Sequence, residues 1–232
     1  MIKGLYLQWV LDKCLSKGVN RIFDAGCGRS AQYALLLARR YRSINFAGVD
    51  LNIDENFAGQ LNNRVSNAAF FKGDLLNLKW KGHFEIVYTI DVLEHIQDYK
   101  QCLKNLTESL KETGKIIIHV PNKEQKRYFF KSERYISSAY SQTKKGDEHI
   151  REGFEKTDLE NELRRAGLRI IKSIYTFGFP LSFIKELFNW SEKKHLGGTG
   201  IVLLPITIIF WSLEIIFGCK KGNGILIVAA KG

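Results

Sequence analysis

The chain has 232 residues, of which 45% are apolar, 25% charged and 12% aromatic, a make-up that excludes a disordered chain. At that length a core forms without disulfide or metal staples, so a single α/β domain over 1–232 with no metal site is expected. Net charge is +11, from 35 Lys and Arg against 24 Asp and Glu, which admits nucleic acid, phospholipid or a phosphorylated substrate as partner without choosing between them.

The first stretch, MIKGLYLQWVLDKCLSKG, carries apolar residues at helical spacing interrupted by Lys3, Asp12 and Lys13. It reads as a helix of the domain and lacks the unbroken apolar core of a signal peptide. Short β-branched and aromatic runs then alternate with helical stretches: strands at 21–24, 45–50, 69–72, 84–90 and 115–120, helices at 31–41, about 54–65 and 98–111. Parallel strands need crossovers of that size, so a mostly parallel sheet follows. After Pro121 the pattern loses its period. There, seven basic residues (Lys123, Lys126, Arg127, Lys131, Arg134, Lys144 and Lys145) stand against two acidic ones, interleaved with Tyr128, Phe129, Phe130, Tyr135 and Tyr140. The run reads as a solvated surface or as a patch for an anionic ligand. A helix capped by Thr157 and stopped by Gly167 comes next, then strands at 168–175 and 224–230. Cys14, Cys27, Cys102 and Cys219 form no CxxC pair, as expected of reduced thiols in a cytoplasmic protein.

Between the last two strands, 179–223 forms an insertion. No residue from 196 to 213 is charged, a run long enough to raise a membrane span. Pro205 and the strand GILIVAA close behind oppose a crossing, which would strand that segment across the bilayer from its own sheet. Pro205 is expected to break or kink the run into two pieces that fold back over the sheet. A covering helix and a helix dipping into one leaflet both fit. Lys193, Lys194, Lys220 and Lys221 at the two ends suit anionic headgroups, so peripheral contact with an anionic membrane is expected.

FDAGCGRSA at 23–31 puts Asp24 at the end of the first strand and Gly26 and Gly28 in the turn into a helix. Glycine there lets the backbone approach a ligand closely while helix amides point into the same crevice, which implies a nucleotide-like cofactor. The same letters satisfy a dinucleotide fingerprint, because Gly26, Gly28 and Ala31 fit GxGxxG/A and Asp50 follows about 20 residues later. The neighbouring acids separate the two. A carboxylate at Asp24 receives an ammonium group and repels a pyrophosphate. Asp50, closing GVD, can accept from two ribose hydroxyls, and Asp74 in GDLLNL from an adenine amine beside apolar Leu75. TIDVLEHI sets Asp91, Glu94 and His95 at the mouth of the same crevice. Acids at successive strand ends suit a cationic adenosine ligand better than NAD, although each alone could cap a helix or turn. His95 either closes a helix start or lines the site and takes a proton; His149, near Arg151 in GDEHIREGF, is a second candidate against a plain surface reading.

With FDAGCG, GVDLN, GDLLNL, DVLEHI and GKIIIHVPN together covering about 20–122, the chain resembles class I S-adenosylmethionine-dependent methyltransferases. Its likeness is to the broad subgroup that includes ubiquinone-biosynthesis O-methyltransferases. HIREGFEKTDLENELRRAGLRI resembles the segment that leads into the last two strands of that fold. The resemblance implies a Rossmann-like seven-stranded, mostly parallel sheet in the order 3-2-1-4-5-7-6 with helices on both faces and the last strand antiparallel. It implies S-adenosyl-L-methionine held by Asp24, Ala25, Gly26, Cys27, Gly28, Asp50, Leu51, Asp74, Leu75 and Asp91. Ser30 departs from the pattern, standing where many relatives carry a third glycine.

The resemblance also sets the insertion and the stretch 128–149 near the transferable methyl, where they would build the acceptor pocket. Their apolar, aromatic and basic character points to a small amphipathic or lipid-linked acceptor methylated on oxygen, at the inner face of the membrane. Neither an Asp/Asn-Pro-Pro-Tyr/Phe motif nor an appended RNA-binding module is present, which argues against nucleic acid. The rival readings are a non-catalytic S-adenosylmethionine-binding protein at a membrane and an NAD-dependent oxidoreductase.

Overall fold

The structure, a computed structural model, describes residues 2–63, 65–126, 128, 150–193 and 199–232, with backbone alone at 192–193 and 199–201. In chain order its elements are α1 (Ile2–Cys14), β1 (Arg21–Ala25), α2 (Gln32–Arg40), β2 (Asn45–Asp50), α3 (Glu55–Asn62), β3 (Ala68–Lys72), β4 (Phe84–Ile90), α4 (Tyr99–Ser109) and β5 (Leu110–Pro121). There follow α5 (Lys156–Arg165), β6 (Leu168–Thr176), α6 (Phe179–Lys193), α7 (Thr199–Phe217) and β7 (Gly224–Lys231). Short 3-10 turns at Leu75–Asn77 and Leu93–His95 follow β3 and β4.

The seven strands form one sheet in the order β3-β2-β1-β4-β5-β7-β6, as the sequence leads one to expect. β1 to β5 pair in parallel, and β7 runs antiparallel to both β5 and β6. Strands such as IFDA and GILIVAA are apolar at nearly every position because both faces of the sheet are covered. One core packs α1, α2, α3 and the start of α6 on one face; the other packs α4 and α5 on the opposite face.

Three local expectations need correction. Leu110 is buried and pairs with Phe84, so α4 ends at Ser109 and β5 starts well before Lys115. Thr157 does not cap α5. Phe154 is tied in extended form to Asn122, with its N–H on the Pro121 carbonyl at 2.9 Å, so the helix opens directly behind it with Glu155 at the cap and Thr157 inside the first turn. Gly167 stops that helix at φ 82° as expected. Finally, Pro205 does not divide the insertion: α7 is one helix through it. Proline there removes a single N–H donor, and packing of the inner face holds the helix together. Thr207 is buried on that face and donates its hydroxyl to the Leu203 carbonyl at 2.7 Å.

α7 is charged inside and apolar outside. Glu214, its one ionisable residue, accepts hydrogen bonds from the Tyr6 hydroxyl of α1 and, at 2.8 Å, from the Gly178 N–H ahead of α6. Phe210, Trp211 and Ile215 join the core beside it, with Trp211 edge-on to Tyr6 at 6.3 Å. Among the described residues no helix is long and apolar enough to cross a membrane.

Candidate active site

The carboxyl ends of β1, β2, β3 and β4 open on a common crevice. The turn after β1 folds over β2, with the Gly26 and Cys27 N–H groups donating to the Val49 carbonyl at 2.8 and 3.2 Å. Gly26 has φ 81°, and a Cβ there would lie 2.3 Å from a Val92 methyl, so no other residue fits. Ala25 and Cys27 are buried on either side, and burial pushes the Cys27 thiol up, so it stays protonated and inert.

Asp24 is 2% exposed, and its Oδ2 has no hydrogen-bond partner among the described residues. Burial lifts its carboxyl to about 7; the Tyr88 hydroxyl alongside offsets part of this without reaching full hydrogen-bond geometry, and the Asp50 charge adds to it. A buried acid in that state is a socket for a cation. Asp50 is fixed by its neighbours: Oδ2 accepts from the Gly28 N–H and Oδ1 from the Asn52 N–H, both at 2.8 Å. Each oxygen keeps a lone pair for a ribose hydroxyl. Leu51 beside it is 59% exposed, an apolar surface with room for a flat ring. Asp74 caps the 3-10 turn, accepting from the Leu76 N–H at 2.9 Å and the Asn77 amide at 3.2 Å, while the Leu75 side chain is taken up by the core.

At β4 the chain turns on Asp91, whose φ of 54° is strained for a residue other than glycine. Its carboxylate is held from two sides, by the Lys3 ammonium of α1 and, at 2.8 Å, by His119 Nδ1. The Thr176 hydroxyl meets His119 Nε2 at 3.1 Å. Burial, then Lys3 and Lys185, keeps the imidazole neutral, so Nδ1–H donates to Asp91 and Nε2 accepts from Thr176. Gly224 of β7 makes room for this chain, since a Cβ there would lie 2.5 Å from Thr176 Oγ1 and 2.7 Å from His119 Nε2. Lys185 of α6 completes the corner. Its ammonium lies 5.2 Å from the Phe177 ring centroid, and that ring stands 5.9 Å from His119.

Glu94 is fully buried, and neither carboxylate oxygen has a hydrogen-bond partner among the described residues. Burial raises it to about 7 against the pull of Lys3 and Arg151. His95, half-buried, ends the same 3-10 turn. Arg151 clamps that turn, donating to the carbonyls of Leu93, Ile96 at 2.8 Å and Gln97 at 3.0 Å, with its guanidinium over Tyr99 at 4.5 Å. His149 and most of the basic, aromatic run 123–145 lie outside the described residues. The structure thus brings Asp24 to Gly28, Asp50, Leu51, Asp74, Asp91 and His95 to one end of the sheet. It adds Lys3, His119, Thr176 and Lys185, which the motifs did not single out. A separate groove of about 460 Å³, lined by basic Lys100, Lys104, Arg165 and Lys231 and acidic Glu108 and Glu162, sits by the last residue of antiparallel β7, at the opposite end of the strands.

The sequence profile of a family described as a methyltransferase domain matches residues 6–173. The chain belongs to that methyltransferase family. The methyltransferase is 22% identical over 201 residues to the ubiquinone biosynthesis O-methyltransferase of Pseudomonas aeruginosa (strain UCBPP-PA14), covering 84% of each chain. It spans 34% and 55% of the lengths of the first curated relatives it matches. Among solved structures, the (4+2)-cyclase SpnF superposes with a TM-score of 0.67 at 17% identity over 98% of this chain and 81% of that one. Phosphoethanolamine N-methyltransferase 2 of Haemonchus contortus, solved with S-adenosyl-L-methionine, does so at 0.64 and 15% identity, over 99% of this chain and 52% of that one. These two likenesses are of fold. The family's cofactor is S-adenosylmethionine, and the methyltransferase has residues that fit it: a buried acid with one unbonded oxygen for an ammonium, a fixed carboxylate for ribose, exposed Leu51, and a turn where only glycine fits.

Asp50→Ala leaves the Gly28 and Asn52 N–H groups without their acceptor and would take the same carboxylate from the two ribose hydroxyls expected there. Calorimetry with S-adenosylhomocysteine is expected to show about 2–3 kcal/mol of lost affinity. Unchanged affinity would refute the ribose role.

Proposed function

We propose that this methyltransferase moves the methyl group of S-adenosylmethionine to a hydroxyl oxygen of a small amphipathic or lipid-linked acceptor that carries an acidic group. The observation that supports it is the corner beyond Asp91, where the basic side chains of Lys3 and Lys185 come together beside the buried rings of Tyr6 and Phe177. An anionic end on the acceptor matches that pair of basic side chains. Lys185 has no carboxylate partner among the described residues, so an acceptor carboxylate or phosphate gains a charge-assisted contact without breaking one. The relative's name, an O-methyltransferase of ubiquinone biosynthesis, agrees with oxygen as the target.

When bound, the cofactor supplies an electrophilic methyl carbon on a cationic sulfur. The chain's own residues then have three tasks. Asp24, Asp50 and the glycine turn hold the donor still. Lys3 and Lys185 orient the acceptor. A base takes the hydroxyl proton as the oxygen attacks, and His95, on the turn clamped by Arg151, is our choice for it, with His149 the second.

His95→Ala is expected to lower turnover by about 10²-fold or more while leaving affinity for S-adenosylhomocysteine unchanged. Equal losses in both, or in neither, remove His95 from the mechanism. The function itself is tested by incubating the protein with methyl-labelled S-adenosylmethionine and a lipid extract, and following label by mass spectrometry. Label as a methyl ether in an acidic lipid fraction supports the proposal; label as a methyl ester, on nitrogen or on carbon, or none with any fraction, overturns it.

A further inference from the structure

The outward face of α7 is the most anomalous surface of the molecule. Val202, Ile206, Ile209, Leu213 and Ile216 follow one another at helical spacing along it, with Phe217 at the end, and Ile216 and Phe217 are 70% and 79% exposed. A helix on a water-facing surface turns its charges outward. Here the one charge, Glu214, is turned inward onto Tyr6 and Gly178, and the outer face has none.

We infer that this face docks flat on one leaflet of an anionic lipid bilayer. Charge selects that occupant. Lys220 and Lys221 follow the helix after Gly218 and Cys219, and Lys193 and Lys194 precede it in the sequence, so basic residues flank in sequence a helix whose outer face carries no charge, within a protein of net charge +11. Anionic headgroups around a hydrocarbon layer complement that order. The helix lies along the surface because its inner face is fastened to the body through Glu214, Phe210, Trp211 and Ile215. At about 28 Å it covers a long strip of interface rather than crossing it.

Buried side chains connect the helix to the acceptor corner proposed above. Tyr6 binds Glu214 on one side and packs against Phe177 at 5.5 Å on the other, and Phe177 borders His119 and Lys185. The surface contact is independent of which acceptor is used.

Flotation with vesicles of equimolar phosphatidylglycerol and phosphatidylcholine, and with phosphatidylcholine alone, tests the inference. The full chain should float with the anionic vesicles, and rising salt should weaken the contact. The exposed substitutions Ile209→Asp and Ile216→Asp together should cut binding about tenfold or more, and Lys220→Glu with Lys221→Glu should abolish the preference for anionic lipid. Binding of S-adenosylhomocysteine by each variant shows that the fold is intact. Failure to float with either vesicle, or flotation of the Ile209→Asp, Ile216→Asp variant at the level of the parent, overturns the inference. So does retention through alkaline extraction, which would mean a span, or a solution dimer that Ile209→Asp dissociates without any vesicle binding.

Discussion

Affinity for S-adenosylmethionine is expected to rise about tenfold per pH unit from pH 5 toward 7 and then to level off, and Asp24→Asn is expected to abolish that slope. The cause is the burial of Asp24, which holds its carboxyl near 7 despite the nearby Tyr88 hydroxyl. Below that pH the cofactor's ammonium meets a neutral acid, and binding must release a proton; above it the carboxylate is already formed. The sign for the fold is opposite. Between the ordinary value of 3.8 and about 7 the folded chain keeps a proton that the unfolded chain has lost, so the cofactor-free protein loses stability as pH rises through that window. The ceiling on that loss is about 4 kcal/mol. Asp24→Asn therefore stabilises the cofactor-free protein at pH 8 while costing about 2–3 kcal/mol of cofactor affinity, roughly 30- to 150-fold. Calorimetric titration across pH reads the first effect and thermal unfolding the second. A variant that keeps parental affinity and slope would make Asp24 a structural acid only.

Glu214→Ala is expected to lower stability by about 2–4 kcal/mol, because it leaves the Tyr6 hydroxyl and the Gly178 N–H without an acceptor in the interior. For a chain of this size that is roughly 5–12 °C in melting temperature. Burial raises the Glu214 carboxyl above its ordinary value, so the folded state holds this proton more tightly than the unfolded state and the residue contributes less as pH rises. Glu214→Gln keeps one acceptor oxygen, which the Gly178 N–H can take, while its NH2 can donate to the Tyr6 hydroxyl oxygen; without a charge it should cost less than alanine, least of all at alkaline pH. Melting of the two variants at pH 6 and pH 8 checks both statements. Equal melting of the alanine variant and the parent would mean that α7 is held by its apolar contacts alone.

The sheet was legible because its signals are local. Each of IFDA, NFAGVD and FEIVYTI is a short apolar run with an acid or a turn behind it, and Gly26 and Gly28 announce a backbone that only glycine can follow. Asp24, Asp50 and Asp74 could be placed for the same reason, although the caps made by Asp50 and Asp74 show that one carboxylate can serve the fold and leave lone pairs to spare. Lys3, His119, Thr176 and Lys185 were not legible as a group. They come from α1, β5, β6 and α6, and only pairing across the sheet brings them together. His119 alone left a trace, a polar residue inside the apolar strand KIIIHVP that must find partners where it is buried. The continuity of α7 through Pro205 was hidden for another reason. Local chemistry argues for a break, and the decision lies with packing against α1 and α6.

Because β7 runs against β6, the chain leaves the sheet at Thr176 and re-enters it at Gly224, and those two residues are direct neighbours in the ladder. The helices between them hang from a hairpin whose stem closes whether the loop is long or short. The strand pairing of the sheet is therefore set without regard to the length of that hairpin, while Lys185 and the exposed apolar stripe of α7 both ride on it. If the acceptor corner and the membrane contact proposed above hold, both would be exchanged together when such a cassette is traded between proteins of this fold, with the stem at Thr176 and Gly224 as the natural splice point.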